Sequence, residues 1–313
     1  MASTGTMKKQ YRTPLKRTMS LSERQEALAG YLYILPNFLG FLIFTGAPIV
    51  IGLLISFTNY SGFEGASFVG ITNYIKMFRD SQFLSALKNN IFYSAASVPL
   101  TMLTALLLAL MLNRGVPGGG LFKTLYFFPN LTSMVAVSCV AMLLFEPVKG
   151  PLNQMLMAVG VPEANLPQWF FSTKSALMTV VITVVWKQCG YYMIMFMAGL
   201  KNISPNLYEA ARIDGANAWH CFCHVTWPML SPTTFMVTIL SIIGSFQVFD
   251  IINVTTKGGP GRATTVIVFR IYREAFNNWK MGYASAMAYF LFVIILIVTL
   301  IQWNGQKRWV NDD

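Results

Sequence analysis

The sequence predicts an all-α, polytopic membrane protein, and three observations lead to this fold class. Charged residues make up 11% of the 313 residues and apolar residues 55%, whereas soluble proteins carry about 25% charge. The chain contains several charge-free runs of the length that a helix needs to cross a bilayer. Alternation typical of strands is absent, and a lipid-exposed backbone must satisfy its own hydrogen bonds. This composition excludes a secreted disulfide domain, a disordered tail or a cytosolic enzyme as the main body.

Six apolar runs predict six transmembrane helices. Five of the runs carry no charged residue (27–63, 89–113, 124–145, 225–249 and 281–306), and the remaining one, about 175–200, is interrupted only by Lys187. Prolines lie within the first three spans, and we expect a simple kink at each, because neighbouring helices can absorb such breaks. These prolines are Pro36, Pro48, Pro99 and Pro129. The predicted spans are 31–57, 89–113, 124–145, 175–200, 229–253 and 283–304.

The distribution of Lys and Arg predicts that both termini lie on the cytoplasmic side of the membrane. With six spans, 12 basic residues fall on the N-terminal side and 10 on the opposite side, and the densest cluster precedes the first span. We expect residues 1–30 to form a cytoplasmic arm with a short amphipathic helix, because Ser20 and Glu23 match a capping box. Residues 31–305 form the transmembrane domain, and residues 306–313 form a cytoplasmic tail.

The segment before the last predicted span opposes this charge bias. Across residues 266–279, Arg270, Arg273 and Glu274 recur at helical spacing, and aromatic residues fill another part of the helical wheel. This pattern predicts an amphipathic helix that lies at the membrane interface, so its charges need not cross as a free loop.

The loop between the fourth and fifth spans is specified more strongly than a plain connection requires. Ser204 and Pro205 suit the N-cap and first position of a helix, and Gly215 can end that helix in the left-handed conformation. Asn217 can cap a second short helix, which we expect to stop before Pro228. The sequence therefore predicts two short helices joined at Asp214–Gly215.

The same loop carries a recognisable motif. Glu209-Ala210-Ala211 is followed after three residues by Gly215, and after nine more by Val225-Thr226-Trp227-Pro228. This spacing resembles the EAA motif of ABC importer permeases, E-A-A-x3-G-x9-I-x-L-P, with Val and Trp in place of Ile and Leu. Shorter strings from about residue 30 onward resemble the carbohydrate-uptake branch, the maltose-type and glycerol-3-phosphate-type permeases. These strings are Phe68–Tyr74, Ala198–Leu200, Phe246–Asp250 and Gly258–Pro260.

The resemblance implies a type I ABC importer permease fold with cytoplasmic coupling helices. Residues 201–228 would form the coupling loop that docks on a cytoplasmic ATPase. The two small alanines leave one face of its helix open to close approach by that partner. The ATPase-coupling residues would be Tyr208, Glu209, Ala210, Ala211, Asp214 and Gly215.

The resemblance also implies the partners and the role. A second homologous permease, two ABC ATPase subunits and an extracellular or periplasmic solute-binding protein would complete the importer, surrounded by membrane lipid. ATP and Mg²⁺ would bind to the ATPases, so this chain would hold no cofactor and would be a transport subunit rather than an enzyme. The expected cargo is a sugar, an oligosaccharide or a related polyol. An importer of amino acids, peptides or phosphate is the alternative, and an ion-coupled carrier would leave the motif unexplained.

Polar and aromatic residues in the fourth and fifth spans are candidates for the substrate path. Aromatic rings stack on sugars, amides bond hydroxyl groups, and a glycine permits a helix break. For each residue, helix–helix packing is an equal alternative. The candidates are Gln188, Gly190, Tyr191, Tyr192, Ser245, Gln247 and Asp250. Inserting a lysine at the centre of a span costs roughly 3 kcal/mol of free energy, so Lys187 must face the helix bundle or water. There it could pair with Asp250 or with an anionic substrate.

Other function classes are disfavoured by local sequence. Residues 115–124 resemble a P-loop, but Leu121 follows the second required glycine and Lys123 comes two places late. The string from His220 to His224 offers zinc ligand types, but its two cysteines are two residues apart and point in different directions, so we predict no metal. No basic stripe carries interleaved aromatic residues, which disfavours nucleic acid.

Overall fold

The computed structural model describes residues 21–63, 65–113 and 115–306. Within these ranges the chain is helical apart from short connections and an isolated bridge between Thr58 and Phe68, which confirms the all-α prediction. Two compact units are present, one ending at Gly52 and the other beginning at Leu53. The predicted capping box at Ser20 and the tail from residue 307 lie outside the described residues.

The fifteen α-helices of the described residues are numbered in chain order. Three π-helical turns (Leu42–Gly46, Phe222–Thr226 and Arg273–Asn277) and two 3₁₀ turns (Glu163–Asn165 and Trp169–Phe171) connect some of them. The helices are α1 (Leu21–Phe41), α2 (Ala47–Ser56), α3 (Thr72–Arg79), α4 (Ser81–Asn113), α5 (Gly119–Leu131), α6 (Met134–Leu144), α7 (Pro151–Ala158), α8 (Ala176–Asn202), α9 (Pro205–Ile213), α10 (Ala218–Cys221), α11 (Trp227–Met229), α12 (Ser231–Phe246), α13 (Asp250–Thr255), α14 (Ile267–Tyr272) and α15 (Met281–Gln306).

Five helical segments of the described residues are long and apolar enough to cross a membrane. They are Gln25–Ser56, Ser81–Asn113, Ala176–Asn202, Ser231–Thr255 and Met281–Gln306. The remaining predicted span corresponds to α5 and α6, which together are also long and apolar enough to cross a membrane but form an angle of 101°. The described residues therefore contain five candidate spans, or six when this bent pair is counted as one.

The simple kink expected at Pro129 was wrong. After α5, Thr132 leaves the helical region, and the hydroxyl of Ser133 accepts a hydrogen bond from the backbone N–H of Ala136 at 3.4 Å. A serine at the N-cap satisfies a free N–H at the start of a new helix. The local sequence therefore starts α6 afresh instead of continuing α5 through a kink.

Helix α8 is the centre of the packing in the second unit, where it contacts α4, α5 and α12. Gly190 allows α8 to touch the backbone of α5, since a Cβ at this position would overlap the carbonyl oxygen of Tyr126. Three apolar clusters surround this arrangement. Their central residues include Phe196 and Leu230, Val180 and Ile251, and Phe83 and Met287.

We predicted that the charged residues before the last span lie on the exposed face of an interfacial helix. This prediction was wrong for Arg270 and Glu274, which are buried. Arg270 in α14 is buried, and its Nη2 lies 3.1 Å from Oδ2 of Asp80 and 2.7 Å from Oε1 of Glu274. The hydroxyl of Tyr283 donates to Asp80 at 2.9 Å. These charges face the protein because they satisfy one another there, whereas Arg273 is exposed.

Candidate functional site

A polar cavity of about 220 Å³ is lined by residues of α4, α5, α6, α8, α12 and α13. Two helix interruptions meet at this cavity: the bend between α5 and α6, and the gap between α12 and α13. Irregular backbone at membrane depth is tolerated where it lines a cavity. The polar lining side chains are Tyr93, Asn130, Lys187, Gln188, Gln247 and Asp250.

The second interruption lies in the fifth predicted span. Helix α12 ends at Phe246, where the N–H of Gln247 bonds the carbonyl of Gly244 at 3.2 Å. Phe249, with φ −145° and ψ −59°, lies outside the helical region before α13 begins at Asp250. Gln247 and Asp250 therefore stand on either side of the gap. We did not predict this break from the sequence, because the string Phe246–Asp250 contains neither glycine nor proline.

Lys187 reaches from α8 to the end of α5. Its Nζ donates a hydrogen bond to the backbone carbonyl of Asn130 at 3.1 Å, and the residue is only 9% exposed. Asp250 lines the same cavity, but no ion pair joins it to Lys187 in this part of the chain. The lysine is held by a helix terminus in this structure.

The predicted substrate-path residues fall into two groups. Gln188, Gln247 and Asp250 line the cavity. The other four lie outside this cavity. The Oγ of Ser245 donates to the Oγ of Ser94 at 2.8 Å between α12 and α4, and Gly190 packs on α5. Tyr192 is buried in an apolar cluster, and the ring of Tyr191 contacts it edge-on with 5.1 Å between centroids. A substrate role for any of the seven stays a prediction.

Two polar side chains of the cavity were missed by the sequence reasoning. Tyr93 comes from α4 and Asn130 from the last turn of α5, both outside the two spans that we considered. Asn130 directly follows Pro129, and a polar residue beside a proline in an apolar span is a signal that could have found it.

The loop after α8 contains the two predicted short helices. Helix α9 ends in a Schellman motif, in which Gly215 has a φ of +84°, its N–H bonds the carbonyl of Arg212, and the N–H of Ala216 bonds the carbonyl of Ala211. The side chain of Asn217 accepts from the N–H of His220 at 2.9 Å and caps α10. The predicted junction at Asp214–Gly215 is confirmed.

The second helix continues further than we predicted. Its backbone runs from α10 through a π-helical turn into α11 and passes Pro228. Pro228 directly follows this π-helical turn, in which the N–H of Trp227 bonds the carbonyl of Phe222, so the regular hydrogen-bond pattern is already shifted where proline lacks its N–H. The expectation that this helix stops before Pro228 was therefore wrong.

Side chains of α9 divide between an anchored face and an exposed face. The hydroxyl of Tyr208 lies 3.0 Å from Oγ1 of Thr226, which is buried, so α9 is tied to the following turn. Ile213 is 86% exposed. The motif residues Glu209, Ala210, Asp214 and Gly215 are also exposed, and Ala211 is half-buried.

The histidine and cysteine side chains of this loop do not form a cluster that could bind a metal ion. The rings of His220 and His224 are 6.0 Å apart between centroids, while Cys221 is buried and Cys223 is half-buried. Within the described ranges, no group of three or more His, Cys, Asp or Glu side chains is placed to hold a metal ion.

Comparison with known proteins gives the family. Residues 97–309, more than half of the chain, match the family model of the binding-protein-dependent transport system inner membrane component. The chain belongs to this family. Its members are transport components of ABC importers rather than enzymes, and the apolar helices agree with a multi-pass membrane protein.

Relatives of this permease cover nearly its whole length. It is 36% identical to the probable ABC transporter permease protein YesP of Bacillus subtilis (strain 168), over 93% of this chain and 94% of that protein. It is 32% identical to the lactose transport system permease protein LacF of Rhizobium radiobacter, over 89% and 94%.

A solved structure shares the fold of this permease. One chain in the crystal structure of a bacterial alginate ABC transporter, in complex with an alginate pentasaccharide-bound periplasmic protein, superposes with a TM-score of 0.80. The two sequences are 25% identical, and the superposition covers 92% of this chain and 96% of that chain.

Proposed function

We propose that this permease forms half of the translocation path of an ABC importer for a sugar, an oligosaccharide or a related polyol. The observation that carries the proposal is the direct connection between the exposed loop and the cavity. Helix α8 supplies Lys187 and Gln188 to the cavity and leads into α9 after Ile203 and Ser204, while α12 follows the same loop and reaches the cavity at Gly244.

The volume of the cavity supports a second permease. At about 220 Å³, it lies below the roughly 300–1,000 Å³ of a typical small-molecule site. A homologous permease facing it would complete a site of sufficient size. A solute-binding protein is a further proposed partner, because the alginate transporter was solved with its periplasmic protein.

The chemistry of the cavity supports a hydroxyl-rich cargo. Gln188 and Gln247 each offer an amide with two donors and an acceptor, and Tyr93 offers a ring with a hydroxyl group. LacF is named for lactose transport and the alginate transporter for a polysaccharide, which favours carbohydrate over an amino acid, a peptide or phosphate. An ion-coupled carrier is disfavoured because it would not need the α9 motif.

We place six spans in the membrane, counting α5 with α6 as one, and both termini in the cytoplasm. The N-terminal arm (1–30), the coupling loop (201–228) and the tail (306–313) then share the cytoplasmic side, and residues 31–305 form the permease domain. Two ATPase subunits bind ATP and Mg²⁺ and dock on the exposed face of α9. Because Tyr208 ties α9 to the next turn, a displacement of α9 is transmitted to both α8 and α12.

Two glycines allow a closely matched test of the docking proposal. Gly160 ends α7 in the same Schellman geometry as Gly215, with a φ of +97° and the paired bonds to Met157 and Leu156. Proline fixes φ near −65° and removes the N–H donor, so Gly215→Pro and Gly160→Pro impose the same local damage at two different loops.

The tagged complex would be purified from native membranes and its partners identified by mass spectrometry. We expect Gly160→Pro to retain the ATPase subunits and Gly215→Pro to lose them at equal permease yield. Glu209→Lys, a change on the exposed face, should also reduce ATPase retention. Equal retention in both proline variants, or a wild-type chain that brings no ATPase, would overturn the proposed function.

A further inference from the structure

The C-terminal end of α5 lies within a candidate membrane span and is met by a cation. Because the chain turns by 101° after Leu131, the carbonyl groups of the last turn of α5 lose the N–H partners that a continuing helix would supply, and that of Pro129 is bonded instead by the N–H of Thr132 at 3.3 Å. Lys187 donates from Nζ to one of these carbonyl oxygens, that of Asn130. A helix C-terminus carries partial negative charge, so an ammonium group stabilises it more than a neutral donor does.

A second contact fixes the same two helices. Gly190 lies three residues after Lys187 on α8, and Tyr126 lies four residues before Asn130 on α5, so each pair shares one helix face. A side chain at Gly190 would overlap the carbonyl of Tyr126. The backbone approach at Gly190 therefore brings α5 close enough for the lysine to reach the next exposed carbonyl.

We infer that Lys187 is a positioning residue for transport, and that its charge caps the broken third span and holds it against α8 at the cavity. This assigns to Lys187 neither a substrate contact nor an ion pair with Asp250, which instead lies in the first turn of α13. The link to transport rests on the proposed function, whereas the cap itself concerns this chain alone.

The test measures exposure of the bend by chemical labelling. The four native cysteines are replaced by alanine, and Thr132→Cys places a single thiol at the turn between α5 and α6. Full-length protein in proteoliposomes is labelled with a maleimide, without any solute. Lys187→Met removes the charge at similar side-chain length, and Lys187→Arg keeps it. A parallel reporter, Val159→Cys, sits at an exposed position outside the bend and follows the general state of the protein.

We expect Lys187→Met to accelerate labelling of the bend roughly tenfold, with Lys187→Arg within about twofold of the parent and the Val159→Cys reporter unchanged. Asp250→Asn should leave the labelling rate as it was, alone or added to Lys187→Met. If Lys187→Met fails to insert, Lys187→Gln replaces it. Unchanged labelling in the neutral variants would overturn the inference, and so would the same acceleration by Asp250→Asn, which would indicate an ion pair.

The functional half of the inference uses the complete complex. The rate of ATP hydrolysis in proteoliposomes should be lower with Lys187→Met than with the wild-type chain, and Lys187→Arg should restore it. Equal rates for the two variants would refute a role of the Lys187 charge in transport. If the wild-type chain recruits no ATPase, the proposed function fails, while the labelling result still decides whether Lys187 is a cap.

Discussion

Removing Arg270 should destabilise the protein far more than removing its neighbour Arg273. Arg270 pairs with Asp80 and Glu274, and Glu274 is only 2% exposed. Arg270→Leu would leave a buried carboxylate without its cation, which costs about 3–5 kcal/mol. With a typical per-residue entropy of unfolding, this corresponds to about 5–8 °C in Tm for a chain of this length. Arg273 is exposed, so Arg273→Leu should cost less than about 0.5 kcal/mol.

Thermal unfolding of the two variants in the same detergent measures this difference. Arg270→Leu combined with Glu274→Leu should recover part of the lost stability, because the stranded buried carboxylate is then absent. Should Arg270→Leu fail to express, Arg270→Lys keeps the charge without the planar fork and should show an intermediate Tm. A Tm for Arg270→Leu equal to that of Arg273→Leu would refute the assignment of this network as a stabilising element.

Three further predictions concern Gly190, Tyr208 and Asp80. Gly190→Ala should lower transport and thermal stability because its Cβ meets the carbonyl of Tyr126, whereas alanine at the open position Gly119 should change neither measurement. Tyr208→Phe should cost about 1 kcal/mol, since it removes the bond to Thr226, and should weaken ATPase retention; wild-type values for both would contradict the anchoring role. Burial raises the pKa of Asp80, but the hydrogen bonds from Gln82 and Tyr283 and the charge of Arg270 outweigh burial and lower the pKa below its usual value of 3.8. The stabilisation that the ionised Asp80 gives to the folded protein is therefore complete above pH 3.8 and is lost as pH falls through the lowered pKa. Asp80→Asn should consequently flatten the acid side of a curve of Tm against pH.

Local signals in the sequence predicted the loop well. The end of α9 depends on Gly215 and the start of α10 on Asn217, and both act through hydrogen bonds within a few residues of themselves. Such short-range geometry can be predicted without knowing the rest of the fold. Ser204 occupies the predicted N-cap of α9, yet its side chain makes no capping bond there.

The cavity residues could be predicted only in part. The sequence shows which residues share a face of a helix, but not where along that face the neighbouring helices leave a cavity. Gln188 and Tyr192 are one turn apart on the same face of α8. Gln188 lines the cavity, while Tyr192, about 6 Å further along the axis, packs in an apolar cluster with Phe196. Where the cavity ends is decided by α5, α12 and α13, which no periodicity in α8 reveals.

The two interruptions explain why the cavity can hold opposite charges that do not pair. Lys187 meets the negative end of α5, and Asp250 stands in the first turn of α13, where helix polarity favours an anion. Each charge is therefore stabilised by a helix end and not by the other charge. Helix α8 runs unbroken from Lys187 to Asn202, a distance of about 22 Å at 1.5 Å per residue. Under the proposed function, a push on α9 would move that rigid segment and strain the cap at Asn130, so the break in the third span is the point where coupling to the ATPase should first alter the path.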